Sequence, residues 1–312
     1  RDAGIICDLG EGSAPYRPRY VIPDYQRFMQ QGSDFLGLSA PGDIWEATAK
    51  LLMLYHHVPS ITTFPVYLGN LDTLLEPYIK NEQEAAKAIE LFLMHIDRTL
   101  NDSFCHADLG PAPSIAGRLI LEISKKQQNA VPNLSLKYDR ELCGNEFALL
   151  AADCALHTAK PSFANHSIYK ADFEALGFDD YVIASCYNGL PVGGGSCTLV
   201  RMNLAKLAEK CQDSREFMDK ALGEAVEYQL EYMDERVRFL MEESSFFDSS
   251  FLVREGLIQR DRFSAMFGIV GLAECVNSLM DSGLRFGKDA QADAFALEII
   301  QIIDTLVKKH QN

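Results

Sequence analysis

The apolar residues of this chain fall into two periods, and the way the periods alternate limits the fold more than any other feature. After Asp213, followed three residues later by Glu216 in a capping-box-like start, Met218, Leu222, Val226, Leu230, Met233, Val237 and Leu240 recur every three or four positions. That spacing predicts a long helix with one core-facing stripe. Ala292, Phe295, Ile299, Ile302 and Leu306 repeat the pattern in the last helix, and Ile115, Leu119 and Ile123 mark a shorter one. Short apolar runs read as strands between such helices, giving the order helix, strand, helix, strand, helix. This is the order of an α/β fold whose parallel strands are joined by helical crossovers. With 312 residues, 47% of them hydrophobic, the chain can bury a large core. No composition break marks a linker, and residues 1–312 are read as a single core without internal repeats.

Residues Tyr181 to Gly195 run an apolar strand directly into Cys186 and then into a glycine-rich stretch, read as a turn. The C-terminal end of a buried parallel strand is where α/β barrels place their chemistry. A lone cysteine after a β-run also reads as a small buried hydrophobe.

Charge and cysteine usage exclude several function classes. The chain carries 44 acidic against 29 basic residues, a formal net charge of −15, which argues against a nucleic-acid backbone or an anionic membrane surface as partner. No signal-like start and no apolar run of membrane-spanning length is present in the sequence. The eight cysteines, at 7, 105, 143, 154, 186, 197, 211 and 275, show no Cys-x-x-Cys pair and no zinc-like doublet, the pattern of a reduced cytoplasmic protein without a metal site. Cys186 and Cys197 could still meet across the glycine stretch. Gly193-Gly194-Gly195-Ser196 lacks a following lysine and leads into a β-like run, so it does not read as a phosphate-cradling loop.

A set of motifs in fixed order gives the sequence a family resemblance. Pro132-Asn133-Leu134-Ser135-Leu136-Lys137-Tyr138, Lys160-Pro161-Ser162-Phe163-Ala164-Asn165, Asp180-Tyr181-Val182-Ile183-Ala184-Ser185-Cys186 and Asn203-Leu204-Ala205-Lys206 resemble four consecutive blocks of the radical dehydratases among the glycyl radical enzymes. Val21-Ile22-Pro23-Asp24-Tyr25 is similar to an early segment of those enzymes. Phe267 to Leu279 resembles their late helix and that of anaerobic ribonucleotide reductase. The resemblance covers about residues 16–285 and is closest to the YjjI-type branch, whose substrate is not established.

The resemblance implies a ten-stranded β/α barrel of the pyruvate formate-lyase type, here incomplete at both ends. It also implies that Cys186 carries the thiyl radical that takes a hydrogen atom from a small polar organic substrate. A protein glycyl radical, installed under anaerobic conditions by a radical-SAM activating enzyme, is the oxygen-sensitive radical store; no bound cofactor or metal is implied, and a homodimer is compatible with the family. The Arg-Val-x-Gly-Tyr-like glycyl loop of the family does not occur in this sequence, which reads as a central piece without its glycyl radical domain. Residues 1–312 alone are therefore expected to stay inactive when offered the activating enzyme.

The candidate substrate contacts are Asn133 and Ser135, on one face of a strand, Asn165 and His166 after the next apolar run, and Asn188, two residues past Cys186. The dehydratases have a glutamate at that last place, acting as a base on a substrate hydroxyl, and an amide has no useful basicity. Glu146, Asp108 and Glu274 are other carboxylates available by type, each also read as a solvated or helix-capping group; His106 sits in a stretch read as a loop. Cys186 is followed by Tyr187, so the paired-cysteine acyl transfer of pyruvate formate-lyase is disfavoured, and the reaction type, lyase or transferase, stays open. Gly-Gly-Gly-x-x-Thr after the cysteine is also similar to anaerobic ribonucleotide reductase, the alternative enzyme reading. A non-catalytic barrel acting as a binding or scaffold protein is the alternative outside enzymes.

Overall fold

A computed structural model describes residues 4–8, 10, 14–58, 67–99, 105–184, 187–280 and 283–311. Ten strands are described: β1 (Ile6–Asp8), β2 (Tyr20–Ile22), β3 (Tyr67–Asn70), β4 (His106–Leu109), β5 (Asn133–Tyr138), β6 (Ser162–Asn165), β7 (Tyr181–Ala184), β8 (Asn188–Pro191), β9 (Gly194–Asn203) and β10 (Phe263–Val270). The contacts divide the chain into two compact units, one of Arg1–Arg19, Ser196–Ser245 and Ser264–Asn312, the other of Tyr20–Gly195 and Phe246–Phe263.

In the first unit β9 lies between β1 and β10, with β1 antiparallel to β9 and Cys7 opposite Arg201. The long helix predicted after Asp213 forms. The Asp213 carboxylate accepts from the Glu216 amide at 2.8 Å, and Glu216 reaches back to the Gln212 amide at 2.7 Å, one residue beyond the usual capping box. The helix is not uniform: π-helical turns at Phe217–Ala221 and Phe239–Glu243 flank the regular segment Leu222–Arg238. Each wide turn absorbs an extra residue, which rotates the apolar stripe and brings Phe217 and Gln229 inside with Leu222, Val226 and Leu240. Ile299 and Ile303 of the last helix, Ala290–Gln311, share that core with Cys275 and Val276. The late segment differs from expectation. Residues up to Val270 form β10, Gly271 takes φ +78°, and only then does a helix run, Leu272–Leu279.

In the second unit β3, β4, β5 and β6 form a parallel sheet in that order. Helices Glu82–Thr99, Ile115–Gln127 and Asn145–Thr158 provide the crossovers between successive strands, as the alternation predicts. Within the middle crossover helix Leu119, Ile120 and Ile123 are buried, whereas Ile115, expected in the stripe, is exposed in the first turn after its Ser114 cap. His106 pairs in register with Asn133 and Asp108 with Ser135, which in turn faces Ser162. Because strand neighbours alternate, Cys105, Ala107, Leu109, Leu134 and Leu136 fill the apolar face, and His106, Asp108, Asn133, Ser135 and Lys137 share the other. His106, Asp108, Ser135 and Lys137 are all buried, so this polar face is an interior surface. His106 thus lies in a strand, not the loop the sequence suggests.

The stretch after Cys186 also corrects the sequence reading. Asn188–Pro191 is a strand, antiparallel to β7, with Ala184 opposite Asn188 and Tyr181 opposite Pro191. Of the three glycines, Gly193 alone makes a left-handed turn, at φ +72°. Gly194 and Gly195 begin β9, where a β-carbon would collide with the backbone carbonyl of Arg262 or of Tyr20. Close approach of two backbones explains these glycines. Gly194→Ala is therefore expected to destabilise the protein by about 1–3 kcal/mol, the usual cost of overpacking. Urea unfolding checks this, and an unchanged midpoint would contradict the close approach.

Candidate active site

The site is built on the polar face of the parallel sheet, and the β7–β8 hairpin is held against it by side chains. The Asp108 carboxyl, on β4, accepts the Ile183 amide at 2.9 Å and the Tyr67 hydroxyl at 3.0 Å, both on Oδ2. Lys137 Nζ, on β5, donates to the Tyr181 carbonyl at 2.6 Å and lies 3.6 Å from Asp180. It also stands 4.5 Å from the centre of the Tyr181 ring. Tyr67 is itself fixed, its carbonyl accepting from Tyr25 at 2.7 Å. These links are staggered. Lys137, the later residue of the sheet, reaches the earlier residue of β7, while Asp108, level with Ser135, reaches the later one. The chain of β7 therefore runs against the direction of β4 and β5, toward the level of His106 and Asn133.

Aromatic packing holds the other side of β7. Helix His166–Ala175 presents His166, Tyr169 and Phe173 to the Tyr181 ring, with centroid distances of 5.8, 5.2 and 5.4 Å. Gly189 on β8 leaves room for this: a β-carbon there would stand 2.9 Å from both Phe173 and Tyr169. Tyr187, an aromatic residue at φ +65°, closes the hairpin. Its carbonyl accepts from Tyr169 at 3.1 Å and its hydroxyl meets Ser162 Oγ at 2.5 Å.

Burial sets the electrostatics. Desolvation pushes Asp108 up to about 7, against the partial relief given first by the Lys137 charge and then by the bonds from Ile183 and Tyr67. Both donors sit on one oxygen, and among the described residues Oδ1 has no partner. A neutral acid, with a carbonyl oxygen accepting twice and a hydroxyl on the other oxygen, matches that arrangement. Burial also drives His106 down to about 4, which keeps its ring neutral. His106 Nδ1 and Ser135 Oγ are buried without partners as well, so this face exposes three unsatisfied polar atoms to the interior. Asp72 is pushed up to about 6 by burial but is engaged by the Gly110 and Thr73 amides and by Ser114, a structural arrangement at the end of β4.

The sequence-predicted residues divide accordingly. Cys186 lies outside the described residues; Ala184 and Tyr187 are the nearest described residues on either side. Asn133 and Ser135 are on the polar face, and Asn188 begins β8. His166 Nδ1 meets the Tyr181 hydroxyl at 2.9 Å, at the opposite end of the hairpin from Asn188. Asn165 is exposed and caps the helix after it, its Oδ1 accepting from the Ile168 amide at 3.3 Å. Among the other carboxylates, Glu146 and Glu274 are exposed in first turns of helices, as the bland reading has it, whereas Asp108 is neither solvated nor a cap. Lys137, Tyr67 and Tyr181 were not anticipated in the site. The alternation of Cys105, Ala107 and Leu109 with His106 and Asp108 is the signal that could have found this strand and its inward polar residues. Among the described residues no group of three or more His, Cys, Asp or Glu could hold a metal, and the seven described cysteines form no disulfide with one another.

A family profile described as "Glycyl radical enzyme YjjI-like" matches residues 1–312. The chain belongs to this family. It is 46% identical over 310 residues to an uncharacterized protein of Haemophilus influenzae, covering 98% of this chain and 60% of that protein. To the uncharacterized protein YjjI of Escherichia coli it is 43% identical over 303 residues, covering 96% and 58%. The chain thus spans about three fifths of the length of these relatives. Among solved structures, the anaerobic ribonucleotide reductase of Thermotoga maritima with citrate in the active site superposes with a TM-score of 0.73 at 12% identity, over 99% of this chain and 64% of that one. At that identity the likeness shows the fold, a mixed α/β fold of glycyl radical enzyme type. Among the described residues no helix is long and apolar enough to cross a membrane.

The raised pKa of Asp108 predicts a pH effect on stability. The folded state holds the proton more tightly than an unfolded carboxyl near 3.8, so the group's stabilising contribution is complete below that value and is lost as pH rises through about 7. Asp108→Asn removes this titration. The stability of the variant relative to wild type is therefore expected to improve between pH 4.5 and pH 8, measured by urea unfolding at both values; a difference independent of pH would show that Asp108 is ionised throughout.

Proposed function

We propose that this chain is the hydrogen-abstracting core of a glycyl radical enzyme, with the thiyl radical on Cys186 and a small, neutral, polar organic substrate. Membership of the family supports the chemistry. The β7–β8 hairpin, gripped by Asp108 and Lys137 against a buried polar wall, is the observation that supports this reading of the site. A thiyl selects its C–H bond by reach, so a rigid mount is what the reaction requires of the protein. The parallel sheet β3–β6 is read as part of a ten-stranded β/α barrel of pyruvate formate-lyase type.

In this reading a glycyl radical on a loop beyond these residues, installed by a radical-SAM activating enzyme in an oxygen-free cytoplasm, withdraws the Cys186 sulfur hydrogen. Cys186 takes a hydrogen atom from a substrate carbon, forming S–H and leaving a carbon radical, and returns a hydrogen atom to the product radical. Asn133, Ser135 and Asn188 are read as binding polar substrate groups, a role supported by the position of the first two on the polar face and of Asn188 at the start of β8. His166 and Asn165 would act from the far end of the hairpin, His166 through Tyr181. The reaction in this reading requires that water and other thiols be kept from the radicals.

The complete, activated protein provides a test that needs no substrate. A thiol hydrogen exchanges with solvent, so reversible transfer between glycine and Cys186 in D2O replaces the glycine hydrogen and collapses the electron paramagnetic resonance doublet to a singlet. Cys186→Ala is expected to keep the doublet, lose its collapse and reduce turnover to background. Collapse at the wild-type rate in that variant would remove Cys186 from the mechanism.

Asn188 separates this reading from a diol dehydratase. Asn188→Glu places a poorly solvated charge beside the hairpin tip and is expected to lower native turnover roughly tenfold or more, since about 1.4 kcal/mol in the barrier suffices. Robust dehydration of glycerol or propane-1,2-diol by the unmodified protein, or a gain of that activity in the variant, would assign the dehydratase chemistry instead.

A further inference from the structure

The β7 strand has a main-chain partner on one side, β8. On the side of the parallel sheet its polar groups meet side chains instead. Asp108 takes the Ile183 amide and Lys137 the Tyr181 carbonyl, two bonds at alternate residues of one strand, from two adjacent strands of the sheet. All four residues are buried. The acceptor holds an amide and the donor holds the carbonyl two residues earlier, so the strand is gripped at two points by side chains whose own positions are fixed in the sheet. Tyr67 braces the carboxyl and Tyr25 braces Tyr67, so the grip extends to a second layer.

We propose that Asp108 and Lys137 are positioning residues, a two-point clamp that fixes where the β7–β8 hairpin sits against the polar face of the sheet. The inference rests on the assignment of Cys186 above. Lys137 acts on the carbonyl of Tyr181, five residues before the cysteine, and Asp108 on the amide of Ile183, three before it. A loosened clamp lets β7 shift against the sheet, and on the assignment above the sulfur shifts with it. Ground-state folding needs only that the buried groups be paired, whereas hydrogen transfer needs the sulfur placed to a fraction of an ångström.

Two measurements on the complete protein test this. The first is amide hydrogen exchange over residues 181–191. Asp108→Ala and Lys137→Met are expected to accelerate exchange there at least tenfold while leaving helix Leu222–Arg238 unchanged, and Asp108→Asn, which keeps an acceptor for both donors, is expected to remain within threefold of wild type. The second is the rate of doublet collapse in D2O after activation. Asp108→Ala and Lys137→Met should slow it at least tenfold at undiminished doublet amplitude, with rescue by Asp108→Asn. Unchanged amide exchange in both disruptive variants overturns the clamp. Faster amide exchange with collapse at the wild-type rate overturns the positioning role and leaves a structural one. If Asp108→Ala fails to fold, Lys137→Met decides, since it keeps the length of the buried chain. A wild-type protein whose doublet never collapses refutes the reading of Cys186 instead, and amide exchange alone then decides whether the hairpin is clamped.

Discussion

One buried carboxyl holds the arrangement together. Asp108 is fully enclosed, an expensive place for an ionisable group, and the cost is tolerated because its Oδ2 ties β3, through Tyr67, to β7, through Ile183. An apolar residue at that position would leave the Ile183 amide buried without an acceptor, a penalty of about 1–3 kcal/mol. A glutamine would reach too far. The geometry asks for a short side chain with an acceptor, on the inward face of the second strand, and the aspartate of Cys105-His106-Ala107-Asp108 meets it. The neighbouring Lys137 charge lowers the cost of any ionised fraction.

This explains why a parallel sheet here departs from its usual composition. Strands covered on both faces normally read as continuous apolar runs. In β4 and β5 every second residue is polar, yet nearly all are buried. The apolar half, Ala107, Leu109, Leu134 and Leu136, is buried. The polar half faces the hairpin, and among the described residues His106 Nδ1, Asp108 Oδ1 and Ser135 Oγ have no hydrogen-bond partner. Buried polar groups without partners cost stability, so three of them on neighbouring positions of one face mark a surface shaped for chemistry more than for packing.

Legibility followed the same division. Helical stripes and the β7 strand were readable because their apolar residues are dictated by burial, and the periods of helix and strand differ. The β8 strand was hidden: Asn188-Gly189-Leu190-Pro191 has one large apolar residue, and its extended form comes from pairing with β7 and from the aromatic rings that Gly189 admits. A local reading sees only turn-forming residues there. Asp108 and His106 were seen and assigned to the surface or to a loop, since charged residues next to Pro and Gly usually are; their true setting depends on a sheet whose members lie far apart in sequence. Lys137 was visible only as part of a motif. Nothing local tells that its ammonium reaches a carbonyl 44 residues away.

The glycines of the segment carry the complementary part of the argument. At Gly193 the chain needs a left-handed turn to leave β8, at Gly194 and Gly195 it needs to pass close to other backbone, and at Gly189 it needs to admit two rings. Each requirement is steric and each is different, which is why a glycine-rich stretch could be mistaken for a loop when most of it is extended strand. Together they let a hairpin lie against a polar wall with no bulk of its own at the crossing points. The side chains that remain, Tyr181, Tyr187 and Asn188, are then free to be chosen for grip and for polarity around the tip. A strand that must be held against a polar interior is served by this combination: small residues where backbones cross, aromatic rings where the strand is pressed from outside, and two oppositely polar side chains where it is anchored.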